Sequence, residues 1–168
     1  FGRSQRGNNN PYCHDSELTW LSHSLADWQL ALREHARLLI RLRAENPALR
    51  PTRYGRPGES TPGATRMDWY DADGSTMSEE DWSRADHRTL QYVAASTPED
   101  GEANRVLLLV HGSEDPVAVR LPSHDGVVRY DLLWSSADEH PRAVETSHAP
   151  GELVEIEGAS MRLYRAAS

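Results

Sequence analysis

From Met67 to Tyr164 the chain is a succession of short β-type segments, each closed by turn residues, and this punctuation restricts the fold more than any other feature. The segments are Met67–Tyr70, Thr89–Ala95, Arg105–His111, Val117–Leu121, Val127–Trp134, Leu153–Ile156 and Ser160–Tyr164. Asp73-Gly74, Asp100-Gly101, Asp115-Pro116, Asp125-Gly126 and Gly158 fall between them. Many short strands joined by short turns predict an antiparallel β-sandwich. Val106–Val110 is continuously apolar, so its strand is expected at the centre of a sheet; Val117, Val119 and Leu121 alternate with Ala118 and Arg120, so theirs has one wet face.

The first third reads differently. Residues 1–23, with Asn8, Asn9 and Asn10 in a row and Pro11 after them, form a loop. Ser24 then offers a cap, and no Gly or Pro interrupts the chain before Pro47, which predicts one helix from Ser24 to Asn46. At ~100° per residue, Leu25, Trp28, Ala31, Leu32, His35, Ala36, Leu38, Leu39 and Leu42 share an arc of roughly 200°. So wide an arc needs neighbours on two sides, as in the outer ring of a β/α barrel. Six Pro and Gly residues between Pro51 and Gly63 then mark a linker. The expected organisation is therefore a mainly β chain: a loop and helix over 1–50, a linker over 51–65 and a β-sandwich over 66–168.

Composition removes several function classes. The 168 residues carry 26 Asp and Glu against 18 basic residues, all of them Arg, for a net charge of −8; nucleic acid is a disfavoured partner. Cys13 is the single cysteine, and no segment reads as a membrane span or a signal peptide, so a soluble cytoplasmic protein is expected. The eight His include no pair at HxxxH or HxxEH spacing, and no metal or cofactor is expected. GxSxG and the Gly-rich phosphate loops are missing. Glu79, Glu80 and Asp81 follow Ser78 as the acidic first turn of a short helix would, and Trp28, Trp69 and Trp134 sit in periodic segments as core residues would.

One cluster suits carbohydrate. Arg3, Gln5, Asn8, Asn9, Asn10, Tyr12 and Asp15 gather planar polar groups and a ring that can meet a sugar's hydroxyls and its apolar face. The same residues also fit a turn that satisfies its own backbone.

Longer stretches resemble a known family. FGRSQRGNNNPYCHDSELTW resembles the segment after the last barrel strand of bacterial glycogen debranching enzymes of the isoamylase type, within the α-amylase superfamily, and HARLLIRLRAENPALR resembles their last barrel helix. MDWYDADGSTMSEEDW resembles their W-x-x-x-DG-x-x-M-x-x-x-DW signature at Trp69, Asp73, Gly74, Met77, Asp81 and Trp82. LLLVHGSEDPVAVRLP resembles a strand pair of their C-terminal β domain. Pro11 and His14 depart from the Ala and Gln that family members often carry.

The resemblance implies the C-terminal part of an enzyme that hydrolyses α-1,6 branch linkages in glycogen or limit dextrin by a two-carboxylate mechanism. Its catalytic Asp, Glu and Asp lie on earlier barrel strands, so no residue here is assigned a catalytic role and the chain alone is expected to be inactive. The loop would lie at the C-terminal face of the barrel, where Arg3, Asn8, Asn9, Asn10 and Tyr12 are the expected glucan-binding residues. The partners implied are an α-glucan and the preceding barrel, with self-association through the helix face bearing Trp28, Leu32 and Leu39. Two alternatives stand beside this reading. One is a free-standing glucan-binding sandwich using Trp69, Tyr70 and Trp82; the other is the end of a related enzyme, such as a trehalose-releasing hydrolase or a glucan transferase.

Overall fold

The computed structural model describes residues 2–51, 53–54, 64–96, 103–141 and 146–168; most of the expected 51–65 linker and the Asp100-Gly101 turn lie outside them. The elements run α1 (Asp27–Glu45), a 3₁₀ turn (Pro47–Leu49), β1 (Arg53–Tyr54), β2 (Ala64–Tyr70), α2 (Glu79–Ser83), β3 (Thr89–Ser96), β4 (Asn104–His111), β5 (Val117–Arg120), β6 (Arg129–Ser135), β7 (Ser147–His148), β8 (Leu153–Ile156) and β9 (Ser160–Ala167). Seven strands form one sheet in the order β1-β2-β3-β4-β9-β6-β7, and β5 with β8 forms a two-stranded ribbon. Every pairing is antiparallel except the short parallel β1–β2 contact. The expected mainly β, antiparallel architecture is what the chain adopts.

β4 occupies the middle of the sheet, as its continuous apolar run requires. Its side chains feed two cores. Leu107 and Leu109 point with Val93, Tyr130 and Tyr164 toward the ribbon, which contributes Val119, Val154 and Ile156. Val106 points the other way, into a second core with Ala94, Trp134 and Leu163, closed by Leu42 of α1 and Ala48 of the 3₁₀ turn. The large sheet is thus covered by a ribbon on one face and by the helix on the other.

Where helix meets sheet, polar side chains fix the join. Asn46 is fully buried; its Nδ2 donates to the Leu42 carbonyl at 2.7 Å, and its Oδ1 accepts from Asn104 Nδ2 at 3.1 Å. Asn104 Oδ1 in turn accepts from the Ala48 backbone N–H at 3.0 Å. Further along, Trp134 Nε1 donates to His35 Nδ1 at 2.9 Å. Because indole only donates, the His35 proton must sit on Nε2, which lies 3.0 Å from the Asp138 carbonyl.

Several expectations need correction. The helix starts at Asp27 rather than Ser24: Ala26 is the N-cap, and its N–H is satisfied by the Gln29 carboxamide at 3.0 Å, so no serine cap is used. Of the three tryptophans assigned to the core only Trp134, 7% exposed, lies there; Trp28 and Trp69 are 59% and 38% exposed. The wide apolar arc of α1 packs on the sheet along only part of its length. Leu38, Leu39 and Leu42, in the C-terminal half of α1, pack on the sheet, while Trp28 and Leu32, on the same stripe nearer the N-terminus, and Ile40 are exposed, so Leu39 is not part of the exposed apolar surface. The strand expected from Val127 begins at Arg129. It carries a bulge, where Leu132 opposes Tyr164 but Trp134 opposes Leu163, which turns both Leu133 and Trp134 to the helix side. Among the described residues no helix is long and apolar enough to cross a membrane.

Candidate functional site

The N-terminal loop is ordered by its own polar groups. Arg3 Nη1 donates to the Thr19 carbonyl at 3.0 Å, and Nη2 donates to the Gln5 side-chain oxygen. Gln5 Nε2 reaches the Asn8 carbonyl at 2.7 Å. Asn8 Oδ1 accepts from the Asn10 N–H at 2.9 Å and Asn10 Oδ1 from the Tyr12 N–H at 3.3 Å, two successive Asx turns. Arg6 and Cys13 take φ values of 53° and 64°, left-handed conformations that such a compact path demands. The asparagines therefore hold their own backbone, as the turn reading of the sequence expects.

Arg3, Gln5, Gly7, Asn8 and Asn9 line an open depression of about 430 Å³. Of the five expected glucan-binding residues, the fold brings Arg3, Asn8 and Asn9 together there. Asn10 and Tyr12 lie outside its wall, and Tyr12 is 80% exposed. The loop rests on the helix through Gly2, whose φ of 60° and lack of a side chain let it lie directly on the Trp28 ring. Asp15 is engaged as well: its Oδ1 accepts from Trp20 Nε1 at 2.7 Å.

The tryptophan-flanked segment builds scaffold. Asp71 Oδ1 accepts from the Asp73 and Ser75 N–H groups, both at 2.9 Å, which shapes the Asp73-Gly74 turn. Gly74, at φ 77°, packs so tightly that a Cβ would stand 2.8 Å from the Arg120 carbonyl oxygen. The turn is clamped by Gln91, fully buried, whose Nε2 donates to the carbonyls of Asp71 at 2.7 Å and Arg120 at 2.8 Å. Ser78 caps α2, accepting from the Asp81 N–H, while Asp81 returns a carboxylate to the Ser78 N–H and hydroxyl. Those hydrogen bonds from Ser78 hold the Asp81 carboxyl below the usual carboxylate range. Glu79 and Glu80 fill the first turn as expected.

Trp69 meets Trp82 edge to face, 5.4 Å between ring centres, and Tyr92 at 4.7 Å. Tyr70, one residue on, packs against the ribbon-side core instead, because adjacent strand residues face opposite ways. Trp69, Tyr70 and Trp82 are therefore not one stacking platform.

No protein-family model matches the chain. It is 32% identical over 143 residues to a glycogen debranching enzyme of Serratia proteamaculans, an alignment covering 85% of this chain and 19% of that protein. It is 34% identical over 144 residues to a glycogen operon protein GlgX homolog of Mycobacterium tuberculosis, covering 80% of this chain and 20% of the relative. The chain is a homologue of bacterial glycogen debranching enzymes of the isoamylase type. Another glycogen debranching enzyme, from Pectobacterium atrosepticum, is 35% identical over 122 residues, 73% of this chain and 16% of its own length. This debranching-enzyme homologue thus spans about one fifth of the length of the curated relatives it matches. An isomaltulose synthase from Erwinia rhapontici, solved with D-glucose, aligns at a TM-score of 0.43 and 14% identity over 80% of this chain and 17% of that one.

The depression, the Asx turns and the clamped signature turn were not assembled from sequence alone. Their signals were present as Asn8-Asn9-Asn10 and Asp73-Gly74, but the partners, Thr19 and Gln91, stand 16 and 20 residues from the groups they bind.

Proposed function

We propose that the chain is the C-terminal part of a debranching glycoside hydrolase acting on α-1,6 branch linkages of glycogen or limit dextrin in the cytoplasm. In this reading residues 1–50 are the last loop and helix of a (β/α)8 barrel, 51–65 a linker and 66–168 the C-terminal β-sandwich domain. The acid and nucleophile carboxylates belong to the preceding barrel. This chain contributes scaffold, and Arg3, Asn8, Asn9, Asn10 and Tyr12 contribute part of the glucan cleft wall.

The observation that carries the reading is the apolar surface of α1 that the sheet leaves exposed. Trp28 and Leu32, on the same stripe as Leu39 and Leu42 but nearer the helix N-terminus, are exposed, as is Ile40 on the adjoining flank, and the N-terminal loop touches the helix at Trp28. An apolar stripe that runs on beyond the sheet, with Ile40 exposed on its flank, fits a helix with a further neighbour, as in the outer ring of a barrel, and the curated relatives the chain resembles are about five times longer.

The test is hydrolysis. The purified 168-residue chain is expected to release no reducing sugar from branched limit dextrin, while the longer polypeptide that contains it does. In the longer polypeptide, Asn9→Ala raises KM for limit dextrin with little change in kcat, the pattern of a lost binding contact. Hydrolysis by the isolated chain overturns the proposal.

A further inference from the structure

On the ribbon side of the large sheet lies a second cavity, of about 410 Å³, within the ~300–1,000 Å³ range of small-ligand sites. We infer that this cavity, between the Asp71–Thr76 turn and the turn at Ser123–Asp125, binds a short stretch of α-glucan. The inference rests on the carbohydrate reading above and adds a site to it, distinct from the N-terminal loop.

The walls are fixed before any ligand arrives. The buried Gln91 clamps the first turn to the end of β5, and the Arg120 N–H donates to the Ala72 carbonyl at 2.8 Å. On the other wall, His124 Nε2 lies 3.0 Å from Asp68 Oδ2, and Arg66 Nε binds the same carboxylate at 3.0 Å. Arg120 Nη1 is held on the Gly151 carbonyl at 2.7 Å. Such preorganisation lowers the ordering cost of binding.

The chemistry of the lining selects a neutral polyol over an anion. Both cations, Arg66 and Arg120, already have an oxygen partner, and Asp68 and Asp125 offset their charge. Ser75, Thr76 and Ser123 line the cavity and their hydroxyls make no hydrogen bond to another described residue, which leaves them free to bond sugar hydroxyls. Tyr70 also lines the cavity and brings an aromatic side chain to it, the residue type that meets a pyranose face. Position gives the site its use. Tyr70 belongs to the ribbon-side core, whereas α1 packs on the opposite face of the sheet, so the cavity stays open when a barrel covers the helix. A branched polymer can be held here by one chain while another is elsewhere on the enzyme.

Amide chemical-shift mapping of the full 168-residue chain with maltoheptaose tests this. We expect saturable shifts at Ser75, Thr76 and Ser123–Asp125, and an about tenfold weaker affinity in Ser123→Trp, which fills the mouth. Ser75→Trp gives the same reading should that variant not fold. Shifts confined to residues 3–12 overturn the second site and leave the carbohydrate reading standing. Shifts with inorganic phosphate but not maltoheptaose overturn it in favour of an anion site. No saturable shift at all also overturns it, and the limit-dextrin assay then judges the broader reading separately.

Discussion

Single residues carry unequal weight here, and Trp134 and Trp82 show why. Trp134 is almost fully buried and donates to His35, tying β6 to the helix; Trp82 is half exposed and touches Trp69 by an edge. Removing the indole N–H at Trp134 leaves His35 Nδ1 without a donor and a gap beside Leu163. Trp134→Phe is therefore expected to destabilise by about 1–3 kcal/mol. Trp82→Phe is expected to stay within about 0.5 kcal/mol. Urea unfolding measures both, and equal shifts of the two midpoints would contradict the assignment. Sequence places Trp28, Trp69 and Trp134 alike in periodic segments, yet only Trp134 is buried, since a periodic apolar position marks a face but not what covers it.

Elements were legible to the degree that their determinants are local. The end of α1 is written in Asn46-Pro47, and the centre of the sheet in Val106–Val110. The start of α1 falls after Ser24 because Gln29 reaches back to Ala26, a side-chain conformation that no spacing rule singles out over a serine cap. β1 and β7, two residues each, are too short to show any period, and the bulge at Leu133 depends on the partner strand β9. The helix yields a prediction at this scale. Its exposed surface is apolar at Trp28, Leu32 and Ile40, so the isolated chain is expected to self-associate as concentration rises. Ile40→Glu, on an exposed position, reduces the mass seen by light scattering while leaving the melting temperature nearly unchanged. Leu42→Ala, in the sheet-facing core, costs about 2–5 kcal/mol instead.

At the scale of the whole molecule, acid is the condition to which the fold responds. Hydrogen bonds and charge from Arg129 hold Asp131 below its ordinary range, with help from the Ser147 hydroxyl; His148 does the same for Glu152, and Ser78 for Asp81. Each group has a folded pKa below its unfolded one. Their stabilisation is complete above the unfolded value, about 4, and is lost as pH falls through the lowered folded values. Melting temperature is expected to hold from pH 7 to about pH 5 and to drop below pH 4. Asp131→Asn flattens that drop, and a melting temperature that climbs on acidification would contradict the account. The overall architecture was readable because strand punctuation and charge are summed over the chain; the polar sites were not, because each is assembled from segments far apart.

Strand order also governs when this fold can exist during synthesis. β9, Ser160–Ala167, lies between β4 and β6, so the inner strands of the large sheet close around a segment made after all of them. Until it emerges from the ribosome, β4 and β6 each present an unpaired edge, and the nascent chain carries two templates for mispairing. Holding those edges apart until the last strand arrives is then a task for chaperones and for the speed of translation, not for the finished structure.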